Sequence, residues 1–156
     1  MASSDATERF AASASELGIE VAVRRYPEGT RTAIDAAAAV GCDVGQIVKS
    51  LVLMAGDQPI LVLCSGANRV DLAKVGAEFD GKVRMANADE VRAATGFAIG
   101  GAPPFGHPTP LPTLVDPHLL TFDEVWAAAG RPDSVFPLTP EALVTGSGAR
   151  PVDIAT

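Results

Sequence analysis

The sequence predicts an α+β fold, with a mixed, largely antiparallel sheet surrounded by helices. Three observations carry that prediction. Helical and strand periodicities alternate without a strict βαβ rhythm. Two hairpin signals occur, one across AGDQ and one across AAGRPDS. Of the 156 residues, 47% are apolar but only 5% aromatic, so Val, Leu, Ile and Ala must build the core. A chain of this length reads as a single domain over residues 1–156. It can bury about 70% of the surface its unfolded form exposes, enough for a core without staples.

The elements follow in order. Asp5 to Leu17 is an amphipathic helix that Gly18 stops. Ile19 to Arg24 alternates, with Ile19, Val21 and Val23 on one face, as a half-buried strand does. YPEGTR is a loop. Thr32 caps an alanine-rich helix, and Gly41 ends it. Asp43 begins a short turn. Lys49 to Met54 and Pro59 to Leu63 form the first hairpin, both strands buried. Asp71 to Phe79 is a helix and Lys82 to Met85 a short strand. Asn87 with Glu90 caps a helix that runs to Gly96. Phe97 to Ile99 is a brief strand, followed by the loop GGAPPFGHPTPLP. Thr113 to Asp116 is a strand and PHLL a turn. Glu124 to Ala127 and Val135 to Leu138 form the second hairpin. Thr139 and Pro140 open the last helix, and Val152 to Ile154 closes the chain.

Composition narrows the function classes. The net charge is −7, which argues against a general DNA or RNA coat. Any phosphate contact must be small, and the acidic surplus is heavier after residue 85. Two cysteines, Cys42 and Cys64, make neither a disulfide framework nor a metal-ligand spacing. No metal or other cofactor is expected. MASSDATERF has no secretion signal and no apolar run is long enough to span a bilayer, so a reduced, cytoplasmic protein is expected.

Lys49 sits inside an otherwise apolar stretch, GQIVKSLVL, in a chain with three lysines (the others are Lys74 and Lys82). Its stem can pack while its head reaches water. Equally, it can hold a fixed charge over a pocket, where partial desolvation strengthens its pull on a carbonyl or phosphate. It can also lose its proton and act as a nucleophile. Gly100 and Gly101 open a loop with five prolines up to Pro112 and can present bare N–H groups to a developing oxyanion. The same loop can equally be a rigid connection. It lacks the GK[ST] ending of a phosphate loop. His107 can be a general base or an exposed loop residue. Arg24, Arg25 and Arg31 flank one loop and can touch phosphate.

Four segments occur together: GQIVKSLVL, NRVDLAKV (Asn68 to Val75), TGFAIGGAPPFGH (Thr95 to His107) and LVDPHLL (Leu114 to Leu120). In this order and spacing they resemble the YbaK/prolyl-tRNA synthetase-associated domain family, from about Thr32 to the C-terminus. The resemblance implies a mixed sheet curled toward a barrel. It also implies trans-editing, the hydrolysis of mischarged aminoacyl-tRNA, chiefly prolyl-tRNA carrying a small amino acid such as Ala, Ser or Cys. Lys49 matches the family's functional lysine, and Gly100 and Pro104 match the ends of its G-x-x-x-P loop. The loop is expected to lie against the 3′-terminal aminoacyl-adenosine of the tRNA. Lys49, with backbone N–H groups from Gly100, Gly101 and Ala102 to receive an oxyanion, is the expected catalytic set. Ser50, Pro103, Pro104, Phe105 and His107 are expected against the substrate. Asp116 is expected there too, as a partner for Lys49 or equally as a buried structural carboxylate. Tyr26 and Arg31, which precede the resembling region, are also expected at the substrate. An aminoacyl-tRNA synthetase is the expected protein partner. Two other functions fit the same fold: a non-catalytic module that holds a nucleotide or small metabolite, and a synthetase-interaction module using the proline-rich loop.

Overall fold

The computed structural model describes residues 5–27, 29–30, 32–79 and 81–156. Helix α1 (Ala6–Glu16) starts where the Asp5 carboxylate accepts the Thr7 N–H. The next stretch corrects the sequence: only Arg24–Arg25 (β1) pairs with another strand. Ile19, Val21 and Val23 still pack on the core as expected, but without a ladder. Helix α2 (Ala33–Val40) is capped by Thr32 and ends at Gly41 in the left-handed region, φ +79°. A single 3₁₀ turn, Val44–Gln46, leads into the central hairpin. Its strands, β2 (Ile47–Ala55) and β3 (Gln58–Ser65), run longer than the sequence indicates.

Helix α3 (Leu72–Ala77), strand β4 (Val83–Met85) and helix α4 (Ala88–Thr95) follow, the last with the expected Asn87–Glu90 capping box. Phe97 to Ile99 is not a strand; it forms bends and a turn into Gly100. Strand β5 (Thr113–Val115) leads into a 3₁₀ helix, Pro117–Thr121. The second hairpin is β6 (Val125–Ala128) and β7 (Ser134–Leu138). Helix α5 (Pro140–Ser147) is capped by Thr139. The last strand, β8, is Arg150–Pro151, earlier in the chain than expected.

The strands form one mixed sheet in the order β1-β7-β6-β2-β3-β5-β8, with β4 also paired to β2. The longest ladder, β2 with β3, is antiparallel, whereas β2–β6, β3–β5 and β5–β8 are parallel. The sheet is open, with β1 and β8 at its edges, and does not close into a barrel.

The pleat divides the core. Val48 and Val52 of β2, with Leu61 and Leu63 of β3, face a cluster built around Phe10, Phe105 and Phe136. Leu53, Ile60, Val62 and Cys64 face the other way, onto Val75 of α3 and Ile154. Ile47 and Trp126 pack beneath Ala36 and Ala37 of α2. No helix among the described residues is long and apolar enough to cross a membrane.

Candidate functional site

Strand β2 has two neighbours on one edge. β6 pairs with its start, Ile47 opposite Trp126 and Val48 opposite Ala127. β4 pairs with its end, from Leu53 opposite Met85 onward. One more bond, from the Ala86 N–H to the Val52 carbonyl (3.0 Å), completes the β4 side. Strand residues two apart face the same edge, so the main chain of Ser50 faces this edge too. Among the described residues no ladder partner meets it there. The sheet therefore has a slot at Ser50.

A cavity of about 480 Å³ fills the slot. Its lining comes from both faces of β2. Val48, Val52, Ala86, Val91, Ala102 and Ala127 belong to the phenylalanine cluster. Ile47, Ala36, Trp126 and Val135 belong to the cluster under α2. Ile34, Met85 and Ile99 line it as well and stay exposed. The cavity thus has an apolar rim and a floor of small buried side chains. The Ser50 hydroxyl is the single buried side-chain polar atom without a hydrogen-bond partner among the described residues.

Lys49 lines the cavity from the Ile47 side of the sheet, and its Nζ donates to the Asn68 carbonyl. Asn68 in turn donates its Nδ2 to Asp116 Oδ2 (2.9 Å). Asp116 is 3% exposed and also accepts from the N–H groups of Ser65 (3.1 Å) and His118 (2.9 Å). Cys64 lies beside this chain of bonds. Burial pushes its thiol up to about 11; the Lys49 charge opposes that, and Asp116 adds to it. A neutral thiol in this position is a small hydrophobe rather than a nucleophile.

The two glycines of the Gly100–Pro104 loop do different work. Gly100 has φ +84°, a conformation that suits glycine. Gly101 backs onto the Arg131–Pro132 main chain, where an added Cβ would lie 2.8 Å from the Arg131 carbonyl carbon. Gly101 also spends its N–H on the Ala98 carbonyl (2.9 Å), so it presents no donor to a ligand. That corrects its expected catalytic place. Gly100 and Ala102 line the cavity, and their N–H groups have no partner among the described residues.

Lys49, Ser50, Gly100 and Ala102 are thus brought together. Other expected substrate contacts lie elsewhere. Pro103 is buried, and Phe105 packs in the core between Phe10 and Phe136. Pro104 and His107 line a separate cleft with Ser13 and Leu17. His107 Nε2 donates to the Pro103 carbonyl (2.8 Å), and burial lowers the ring's pKa despite that bond. Tyr26 packs beside the cluster under α2 and is not among the residues that line the cavity. Asp116 serves Asn68 rather than Lys49 directly. Arg31 falls outside the described residues.

Other residues were not visible in the sequence as a site. Asn68 reads there as part of a loop. Arg9, Arg92 and Arg131 come from distant segments yet line one groove of about 630 Å³. Pro132 separates that groove from the Lys49 cavity and lines both. Arg9 stands over the Phe97 ring (5.1 Å). Arg131 is paired with Asp133 (3.0 Å), and Arg92 has no ion pair among the described residues. Asp35 and Asp133 share the groove, so its charge is mixed. Of the arginines expected at phosphate, Arg25 is paired with Asp5 and Arg24 lies over Trp126. No group of three or more His, Cys, Asp or Glu side chains among the described residues is placed to hold a metal ion.

Comparison with known proteins gives concordant matches. Residues 27–145 match the family described as the aminoacyl-tRNA editing domain. A solved structure, described as a candidate trans-editing enzyme for prolyl tRNA synthetase, superposes with a TM-score of 0.93. It shares 45% identity, and the match covers 99% of each chain. YwhH of Bacillus subtilis, a protein without a characterised function, is 34% identical over 122 residues, 78% of each chain. EbsC of Enterococcus faecalis, named as a candidate Cys-tRNA(Pro)/Cys-tRNA(Cys) deacylase, is 26% identical over 133 residues. That match covers 84% of this chain and 81% of EbsC.

Proposed function

Because the chain belongs to the aminoacyl-tRNA editing domain family, we propose that it is an aminoacyl-tRNA deacylase. It acts in trans in the cytoplasm, on prolyl-tRNA that carries a small wrong amino acid such as Ala, Ser or Cys. One observation carries most weight: Lys49, Gly100 and Ala102 line one cavity with a floor of Val and Ala, and the N–H groups of the last two have no partner among the described residues.

An aminoacyl ester is already activated, so little machinery is required. The Lys49 ammonium steadies the ester carbonyl or the ribose-phosphate end. The N–H groups of Gly100 and Ala102 receive the oxyanion that forms when water attacks the carbonyl carbon. Collapse of that intermediate breaks the bond to the ribose oxygen, which takes up a proton. The free amino acid and a tRNA with its terminal hydroxyl restored are released. Among the described residues, no acidic or histidine side chain lines the cavity. The attacking water is accordingly positioned by the substrate itself.

Selectivity rests on size. One methylene more or less gives only about 10–200-fold discrimination in an apolar pocket, so excluding the larger proline ring is an effective strategy. The neighbouring groove, with Arg9, Arg92 and Arg131, takes phosphates of the acceptor end. Few cations are involved, which fits the acidic chain and predicts a shallow salt dependence.

The test is deacylation of Ala-, Ser-, Cys- and Pro-charged tRNA(Pro), with Lys49→Ala alongside. Hydrolysis of one or more small amino acids, spared proline and loss with the variant are expected. If no charged tRNA is cleaved faster than in buffer alone, the protein is not a deacylase.

A further inference from the structure

The slot at Ser50 is closed at both ends. β6 stops it on the Val48 side, and β4, with the Ala86–Val52 bond, stops it on the other. Between Val48 and Val52 the strand advances about 13 Å, at ~3.3 Å per residue. A passing peptide strand cannot thread such a slot, since its ends would run into β6 and β4. A single amino-acid residue fits. The slot also offers what one residue needs: a main-chain carbonyl, a main-chain N–H and an unused hydroxyl, all from Ser50. Directly behind it lies the Val- and Ala-lined floor.

We propose that Ser50 binds the main chain of the substrate's aminoacyl group as an antiparallel strand neighbour would. The proposal rests on the deacylase function and names how that site recognises its amino acid. In an antiparallel pair, two opposed residues exchange both N–H···O=C bonds. The substrate's α-ammonium donates to the Ser50 carbonyl, and its ester carbonyl accepts from the Ser50 N–H. An ammonium has three donors, and the Ser50 hydroxyl accepts a second. The substrate side chain then points toward Val48, Val52, Ala86, Val91, Ala102 and Ala127. Recognition of the amino group is therefore separate from the size filter. It requires a free α-amine: acylation removes two of its three donors and adds atoms between the closed ends of the slot.

Two measurements test this. In the first, ¹⁵N-labelled protein is titrated with 3′-alanylamino-3′-deoxyadenosine, whose amide resists hydrolysis, and with its N-acetyl form. In the second, hydrolysis of alanyl-tRNA is compared with that of N-acetylalanyl-tRNA. The Ser50 amide signal is expected to move with the free amine, with binding at least tenfold weaker for the N-acetyl form. N-acetylalanyl-tRNA is expected to be hydrolysed roughly 10²-fold more slowly, as loss of charge-assisted bonds implies. Ser50→Val keeps the main chain and removes the hydroxyl. It should raise KM several-fold while retaining the discrimination against N-acetylation. A Ser50 signal that stays still while Gly100 and Ala102 move overturns the proposal. So do equal rates on the two tRNAs. Either result leaves the deacylase function standing. If no aminoacyl-tRNA is cleaved, that function falls, and the titration alone decides what the slot binds.

Discussion

Asp116 reaches Lys49 only through Asn68. The Asn68 carbonyl accepts from the Lys49 ammonium, while its side-chain amide donates to the buried Asp116 carboxylate. Asp116 is thereby a positioning residue. Asp116→Asn turns one acceptor into a donor that faces the N–H groups of Ser65 or His118 or the Asn68 amide. A loss of stability of about 1–3 kcal/mol is expected, read as a lower denaturation midpoint. The kcat should fall with KM nearly unchanged. A KM effect alone would place Asp116 against substrate instead.

Lys49→Ala removes the one cationic side chain that lines the cavity among the described residues. A fall in single-turnover rate of about 10²–10³ is expected, the usual cost of losing one well-placed stabiliser. Lys49→Met, which keeps the stem, should fall equally. A variant that retains most of its rate would reduce Lys49 to a packing role.

Val91 is 4% exposed and forms part of the cavity floor. Val91→Ala deepens that floor. Hydrolysis of prolyl-tRNA should rise about 10-fold or more relative to alanyl-tRNA, within the range a few methylenes command. Thermal unfolding will register the lost methyls as about 1–3 kcal/mol. Unchanged discrimination would move the size filter elsewhere.

Arg92→Gln removes a cation from the groove behind Pro132. KM should rise with kcat unchanged, and the slope of log(kcat/KM) against log[salt] should flatten by about one if Arg92 meets a phosphate. A variant with the wild-type slope would take the acceptor strand off this face.

Burial holds the His107 pKa below its ordinary 6.5, against the opposing bond to Pro103. The unfolded chain therefore takes up a proton there before the folded one does. The stability supplied by the neutral ring is full above pH 6.5 and is lost as pH falls through the lower native value. His107→Gln should flatten the decline of stability below pH 6.5. The pH profile of deacylation should keep its shape, since His107 lies in a different cleft.

Local signals in the sequence match the structure where one segment decides its own conformation. The Thr32, Asn87 and Thr139 caps sit where expected, and the AGDQ turn joins β2 to β3. Segments whose pairing depends on distant chain depart from their local signal. Ile19 to Val23 has the alternation of a strand but finds no neighbour. The three parallel pairings, and the open edges of a sheet expected to curl toward a barrel, depend on crossovers that periodicity does not encode. The site divides in the same way. Lys49 stands out as a charge in an apolar run, and Gly100 as a glycine before prolines. Phe105 follows those prolines yet serves the core, because Phe10 and Phe136 meet it there. The Ser50 slot was not legible, since it exists only because β4 and β6 both end short on one edge of β2.

That shared edge makes the chemistry depend on strand length as much as on any side chain. Extending either neighbour by two residues along β2 would close the opening like a shutter, with every lining residue still in place. Such a lengthened protein should melt at a higher temperature than its parent and turn over nothing. Trimming Met85 from the end of β4 should do the reverse, widening the entrance at the expense of rigidity.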